Sequence, residues 1–415
     1  MAALLLIVIY IAFISLGLPD SLFGVAWPLM HVDLGMSLGF ASVFTVIVGC
    51  CTAAFSFVAG PIIRKAGTNR VTAISVIMTA VALFGIGASP NIVWVIAFAI
   101  LMGAGAGAVD TGLNDFVSKH YKSRHMSWLH CFWGVGVTAS PLIMAVFLDN
   151  GTWRGGYRSV SYIQFSLGAI MVLSLPLWKR VIAQVAARGD TAADEAADEA
   201  TNEADEEATD EAAEETATPH LEKKKRFNVL KERGVLFAAL SLALYCGMEY
   251  LVGVWGASYL VGRDALSPAT AARYVSMYYG GIMMGRFITG LFTIKFSNKT
   301  LIRGGIICAA VGSALLLQPL AVLNLPAMMM IGLGFAPIFP CTIDSTKDRF
   351  NREYSADIIG FQMGFAYVGA FAIQLGAGYL ATQTTFIVIP AALLLFNVLL
   401  FADVELVNKM TAKTN

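Results

Sequence analysis

The chain has 415 residues, 57% hydrophobic and 13% charged, with no formal net charge and a mean hydropathy of +0.69. Soluble domains carry about 25% charged residues, so this composition excludes a soluble globular protein. Of the 28 acidic residues, 13 crowd between Asp190 and Glu215, and the rest of the chain is a nearly continuous set of apolar segments. It reads as a polytopic membrane protein.

In chain order, spans are predicted at roughly 3–30, 38–63, 70–89, 91–118, 126–148, 157–178, 233–261, 271–296, 300–318, 321–345, 355–382 and 384–407. Each approaches or exceeds the ~20 residues a helix needs to cross the hydrocarbon. Gly and Pro interrupt many of them, as membrane helices tolerate. The first segment has no basic leader and runs too long for a cleaved signal, so it is read as span one. Residues 181–232 separate spans six and seven. Their acidic, Ala-rich composition offers no apolar stripe to bury, which predicts a solvated, largely disordered linker. Its basic end, Lys223, Lys224, Lys225 and Arg226, suits anionic lipid. The expected units are a six-helix bundle over 1–180, that linker, a second six-helix bundle over 233–408, and a tail at 409–415. The six cysteines all lie in apolar segments without zinc-site spacing, and read as small packing residues.

Basic residues set the orientation. With the N-terminus inside, the inner loops and tails hold 23 of the 28 Lys and Arg, the outer loops hold four, and Arg286 alone lies within a span. This bias predicts a cell-membrane protein with both termini cytoplasmic.

Three carboxylates, Asp20, Asp110 and Glu249, fall inside spans one, four and seven. An ionised carboxylate at that depth costs roughly 2.5–3.5 kcal/mol even on insertion scales. Such a group carries a proton, binds an ion or solute, or pairs with a buried cation. Pro19 precedes Asp20 and can open the helix there; the other reading is that Asp20 caps a broken helix at the outer water boundary. Asn114 lies one turn after Asp110 and shares its face; it either reads substrate hydroxyls or glues span four to a neighbour.

The two halves echo each other. "GPIIRKAGTNR" follows span two and "GLFTIKFSNKT" follows span eight, placing Lys65 and Lys295 alike. Gly103, Gly105 and Asp115 in span four match Gly332, Gly334 and Asp344 in span ten. Two six-helix halves joined by a long loop resemble the major facilitator superfamily, in which two repeats rock about a midplane site. Within it, five stretches resemble the fucose:proton symporter family: "GAGAGAVDTGLND", "WLHCFWGVGVTASPL", "LYCGMEYLVGVWGASYL", "YYGGIMMGRFITG" and "GLGFAPIFPCTID". The expected fold is therefore all-α, with twelve transmembrane helices in two six-helix repeats. Two departures stand out. Arg64 occupies a position where the superfamily usually has Asp, and Asp20 sits in an apolar setting, so the identity of a sugar does not carry over.

The resemblance implies proton coupling at Asp20 and Asp110, with Glu249 a coupling or substrate residue. Tyr245, Trp255 and Tyr259 surround Glu249 along span seven. Aromatic faces suit sugar rings, although Trp255 and Tyr259 also fit an interfacial belt. His130 and Trp133 open span five; the histidine either relays protons or packs. Gln362 lies on span eleven, which lines the cavity in this architecture, while Gln164, Gln374 and Asn397 are embedded amides without an assigned role. Arg64, Lys65, Asp115, Arg286 and Asp344 are expected in gating or structural roles, with Arg286 bonding backbone carbonyls or pairing with an acid such as Asp344.

The function read from these residues is secondary active transport: uptake of a monosaccharide or similar polar solute with protons, by alternating access. The alternative is proton-coupled export of a drug or metabolite. Sodium suits the same carboxylates and amides as the proton does. No enzyme motif, phosphate cradle, metal cluster or nucleic-acid surface is evident, no cofactor is expected, and the partners are solute, proton and lipid, acting on a monomer.

Overall fold

A computed structural model describes residues 2–120, 123–178, 180, 232–350 and 354–412; at a few helical positions, Asp110, Asn114 and Asp115 among them, it describes the backbone alone. The expected linker lies outside the described residues, apart from its last residue, Glu232.

Helices fill all twelve expected positions. Span one is a pair, Ala2–Asp20 and Leu22–Asp33; spans two to six are Phe40–Ala66, Thr68–Ala88, Ile92–His120, Ser123–Leu148 and Arg154–Leu173. Spans seven to nine are Val235–Asp264, Pro268–Phe292 and Asn298–Leu317, span ten is again a pair, Asn324–Phe335 and Ile338–Arg349, and spans eleven and twelve are Ser355–Gln383 and Val388–Met410. Nine are long and apolar enough to cross a membrane within the described residues. The other three, Phe40–Ala66, Arg154–Leu173 and Pro268–Phe292, are also of spanning length. Arg273 and Arg286 interrupt the apolar run of the third.

Two boundaries depart from the sequence reading. The basic stretch after span two is mostly helical, and the reversal is compressed into Gly67, whose φ of 86° strains any side chain. Span one breaks at Pro19–Asp20–Ser21. Proline has no N–H to offer the carbonyl of Ser15, one turn earlier. Gln164 Nε2 of span six donates to that carbonyl instead at 3.1 Å, and also reaches Ser15 Oγ and Thr79 Oγ1, each at 2.8 Å. Ser21 Oγ donates to the Val137 carbonyl of span five at 2.7 Å and lies 2.8 Å from Ser140 Oγ. The break is thus held by polar contacts on both sides.

Small residues set the helix crossings. A Cβ on Gly17 would lie 2.3 Å from the Trp133 carbonyl, which brings span one against span five. One on Gly369 would lie 2.0 Å from the Ala243 carbonyl, bringing span eleven against span seven. One on Gly24 would lie 1.9 Å from the Gly253 carbonyl, so spans one and seven meet backbone to backbone between the halves.

Both termini lie on one side of the bundle, here the termini side, opposite the far side. Toward the far side one apolar core runs across both halves, from Leu22, Trp27 and Val137 to Val252, Trp255 and Val275. Toward the termini side the cores separate: Leu5, Phe116, Leu129 and Trp178 cluster within the first half, and Val235, Phe350, Ile358 and Val407 within the second.

Candidate functional site

The site is built at the crossing of spans one and seven. Glu249 lies four residues before Gly253 on one helix and shares its face, and Asp20 lies four residues before Gly24, across the break in span one. Both pairs are separated by 229 positions (249 − 20 and 253 − 24), the offset that also relates Asp115 to Asp344. The two acids are equivalent positions of the repeat, one turn toward the termini side from the crossing.

Two side chains, Trp133 and Arg286, join them across the halves. Trp133 Nε1 of span five donates to Asp20 Oδ2 at 2.8 Å. The guanidinium carbon of Arg286, on span eight, lies 5.2 Å from the centre of the Trp133 ring. Arg286 Nη2 stands 3.9 Å from Glu249 Oε1, and each of these two side chains is 15% exposed. That distance is an ion-pair contact too long for a good hydrogen bond, so the pair is loose. Asp20 itself is exposed.

Aromatic groups close in around this row. Tyr250 is 44% exposed although it lies at mid-span, and its ring meets Phe371 of span eleven edge-on at 6.4 Å. It is within electrostatic reach of Asp20, Glu249 and Tyr367. The Tyr279 hydroxyl abuts Gly253, where a Cβ would sit 2.5 Å away. Tyr245 is fully buried, within reach of both Glu249 and Arg286. The His130 ring stands edge-on to Phe13 at 5.8 Å, one turn from Trp133. Groups arranged in this way present two carboxylates, a cation and the exposed Tyr250 phenol to a polar solute, with flat rings for its apolar faces.

Several expected residues stand elsewhere. Trp255 and Tyr259 have no exposure; Trp255 Nε1 donates to the Gln374 carbonyl at 3.1 Å, and the Tyr259 hydroxyl donates to the Leu316 carbonyl. Glycines explain part of this, because Gly378 lets span eleven close over the indole, so neither ring offers a face to the cavity. Gln362 is buried between spans ten and eleven, its Oε1 accepting from Thr346 Oγ1 at 3.0 Å. The pairing of Arg286 with Asp344 is corrected: Asp344 takes Lys347 at 2.6 Å and Asn298 at 2.9 Å, bracing the start of span nine, while Arg286 faces Glu249. Arg64 and Lys65 are exposed in the last turn of span two. The side chains of Asp110, Asn114 and Asp115 lie outside the described residues, on the backbone of span four.

Sequence reasoning passed over Tyr250, Tyr279 and Phe371, and left Gln374 as an embedded amide without a role. Gln374 is the main clasp between the halves: Ser42 Oγ donates to its Oε1 at 3.3 Å and its Nε2 donates to Thr45 Oγ1 at 2.9 Å. With Ser276 Oγ donating to the Thr138 carbonyl at 2.7 Å and an Arg273–Asp149 ion pair, it holds the far side shut. A buried polar residue on an apolar helix was the available signal.

The fold and this inter-half site define a multi-pass membrane transporter built from two repeats. Over residues 9–374 the chain matches the Major Facilitator Superfamily, and it belongs to that superfamily. It is 23% identical over 320 residues to the glucose/mannose transporter GlcP of Bacillus subtilis (strain 168), covering 75% of this chain and 71% of that one. Its fold is similar to a bacterial homologue of the human lysosomal transporter Spinster, in an inward-facing and occupied conformation, with a TM-score of 0.72, 12% identity and coverage of 99% and 97%. It is also similar to the nucleoside transporter NupG, with a TM-score of 0.68, 13% identity and coverage of 99% and 98%.

Proposed function

We propose that the protein takes up a small polar solute, a monosaccharide foremost, together with protons, across a cell membrane in which both termini are cytoplasmic. The observation that carries this reading is the row Asp20–Trp133–Arg286–Glu249, in which two repeat-related acids face each other across the halves. The likeness to a glucose/mannose transporter supports a sugar as the solute.

With the termini cytoplasmic, this conformation is closed outside and splayed inside. In the outward-open state Asp20 and Asp110 take protons, and solute binds beside Tyr250 and Glu249. Enclosing an ionised carboxylate away from water costs several kcal/mol, so closure favours the protonated, loaded protein. The rocking motion opens the inner side, where water returns and the protons and solute leave. The inner surfaces that meet in the outward-open state continue the seam of spans five and eight. On span eight the contacts Arg273, Ser276, Gly280 and Met283 lead on at helical spacing to Phe287, Leu291 and Ile294, which are 54%, 56% and 82% exposed. Their counterparts on span five are Cys131 and Trp128. Glu249 and Arg286, loosely paired at 3.9 Å, frame the solute between the halves.

The test is uptake of labelled D-glucose, D-mannose and L-fucose into proteoliposomes under an imposed proton or sodium gradient. Accumulation driven by the proton gradient is expected. Expulsion of a dye with no sugar accumulation would overturn the reading in favour of an exporter, and accumulation driven by sodium alone would overturn the ion.

A further inference from the structure

We infer that Trp133 is a positioning residue that passes the charge state of Asp20, in the first half, to the Arg286–Glu249 pair in the second, an inference that rests on the proton-coupled reading above. The indole has one donor and no acceptor, and it spends that donor on Asp20 Oδ2 at 2.8 Å. The same ring faces the Arg286 guanidinium at 5.2 Å. One rigid plane therefore serves both halves, and it cannot turn without changing both contacts.

The local backbone leaves the side chain as the moving part. The Trp133 carbonyl is packed against Gly17, Gly136 against Ile14 and Gly17 of span one, and Gly134 against Met283 of span eight. These contacts pin span five on both sides of the tryptophan. A hydrogen bond to an ionised acceptor is roughly twice as strong as a neutral one, and donation to a carboxylate enriches the ring that the cation faces. While Asp20 is ionised, the ring is held and Arg286 is shared between the indole and Glu249. When Asp20 takes a proton, the ring loosens and Arg286 closes its 3.9 Å gap to Glu249. Protonation in one half thereby resets the cation that frames the solute in the other.

Other groups that could answer to pH face this row. They are His130 and Cys131 on span five, Tyr245, Cys246 and Tyr250 on span seven, Tyr278 and Tyr279 on span eight and Tyr367 on span eleven. The experiment must isolate the indole from them. Trp133→Phe keeps a ring under Arg286 and removes only the donor. Counterflow of labelled D-glucose or D-mannose reads any loss of solute binding separately, and the pH limb is compared after that loss is factored out. Losing the donor leaves the protonated acid in place to higher pH, so the pH limb of proton-driven uptake moves up by about one unit. Glu249→Gln displaces that limb in wild type and no longer does so in the Trp133→Phe background.

A second readout needs no substrate. Fluorotryptophan placed at position 133 should give a fluorine NMR signal that titrates in wild type, stays flat in Asp20→Asn and shifts in Arg286→Gln. The inference is overturned if Trp133→Phe keeps the wild-type limb and its response to Glu249→Gln, or if the fluorine signal ignores pH. If instead Asp20→Asn still accumulates sugar on a proton gradient, the transport reading fails, and the fluorine titration still decides whether Trp133 links the two acids.

Discussion

The seam between spans five and eight is made from the same two helices on both sides of the bundle, yet only the far side is zipped. There Asp149 meets Arg273, the Thr138 carbonyl takes Ser276 Oγ, and the Gln374 amide ties span eleven to span two. On the termini side the same stripe of span eight is bare at Phe287, Leu291 and Ile294, and each half has its own small core. The lesson lies in the chemistry of the contacts. The closed side adds to its shared apolar core hydrogen bonds that water can replace, and the bare side exposes apolar groups with no directional demand. An interface that must open and reclose needs both, and the midplane row of acids and cation sits at the boundary between them.

The largest effect should come from the crossing itself. Gly24→Leu places atoms where the Gly253 carbonyl stands, and a clash with backbone on this scale costs about 3 kcal/mol or more. Size-exclusion profiles and thermal unfolding should show a poorly folded protein. Gly290→Leu, with nothing within 4 Å of its Cβ, should fold as wild type but block closure of the termini side, so that proton-driven uptake is lost. Equal damage from both substitutions would erase the contrast between the two sides.

Next comes the clasp. Gln374→Ala removes both of its side-chain bonds to span two, a loss of about 1–3 kcal/mol. In a cysteine-depleted protein, spin labels at Gly39→Cys and Thr382→Cys should report a longer distance population, since these positions are neighbours in the closed state. An unchanged distribution would mean the apolar core alone closes the far side. Trp255→Phe should cost about 1 kcal/mol in stability and leave solute affinity unaltered, because the ring is enclosed and bonded to the Gln374 carbonyl. A large rise in KM would return Trp255 to the cavity. Arg273→Ala should be the mildest, since a half-exposed ion pair contributes at most about 1 kcal/mol; its effect is read as a small shift in the same spin-label distances.

Much of the architecture was legible in the chain. Apolar length and the Lys/Arg asymmetry located twelve helices, and the repeat showed in Asp115 and Asp344. The same offset of 229 relates Asp20 to Glu249 and Gly24 to Gly253, and it would have paired the two acids directly. Pairings across different spans were not legible, because spacing along one helix says nothing about the rotation of its neighbour. Arg286 therefore drew Asp344 as a partner on charge and depth, whereas the turn of span eight presents it to Glu249 and Trp133. Trp255 and Tyr259 were drawn toward the cavity by residue type, whereas close glycine packing and carbonyl acceptors enclose them. Pro19 was legible as a break, but Gln164, which answers the Ser15 carbonyl, lies 145 positions away and gave no local sign (164 − 19).

The central claim is that the repeat-related acids couple protons to solute movement. The most direct measurement compares proton-driven accumulation with counterflow for labelled D-glucose and D-mannose in proteoliposomes carrying wild type, Asp20→Asn or Glu249→Gln. Asp20→Asn should lose accumulation and keep counterflow, and Glu249→Gln should lower both by the same factor, set by weaker solute binding, without abolishing either. Full proton-driven accumulation in Asp20→Asn would contradict it.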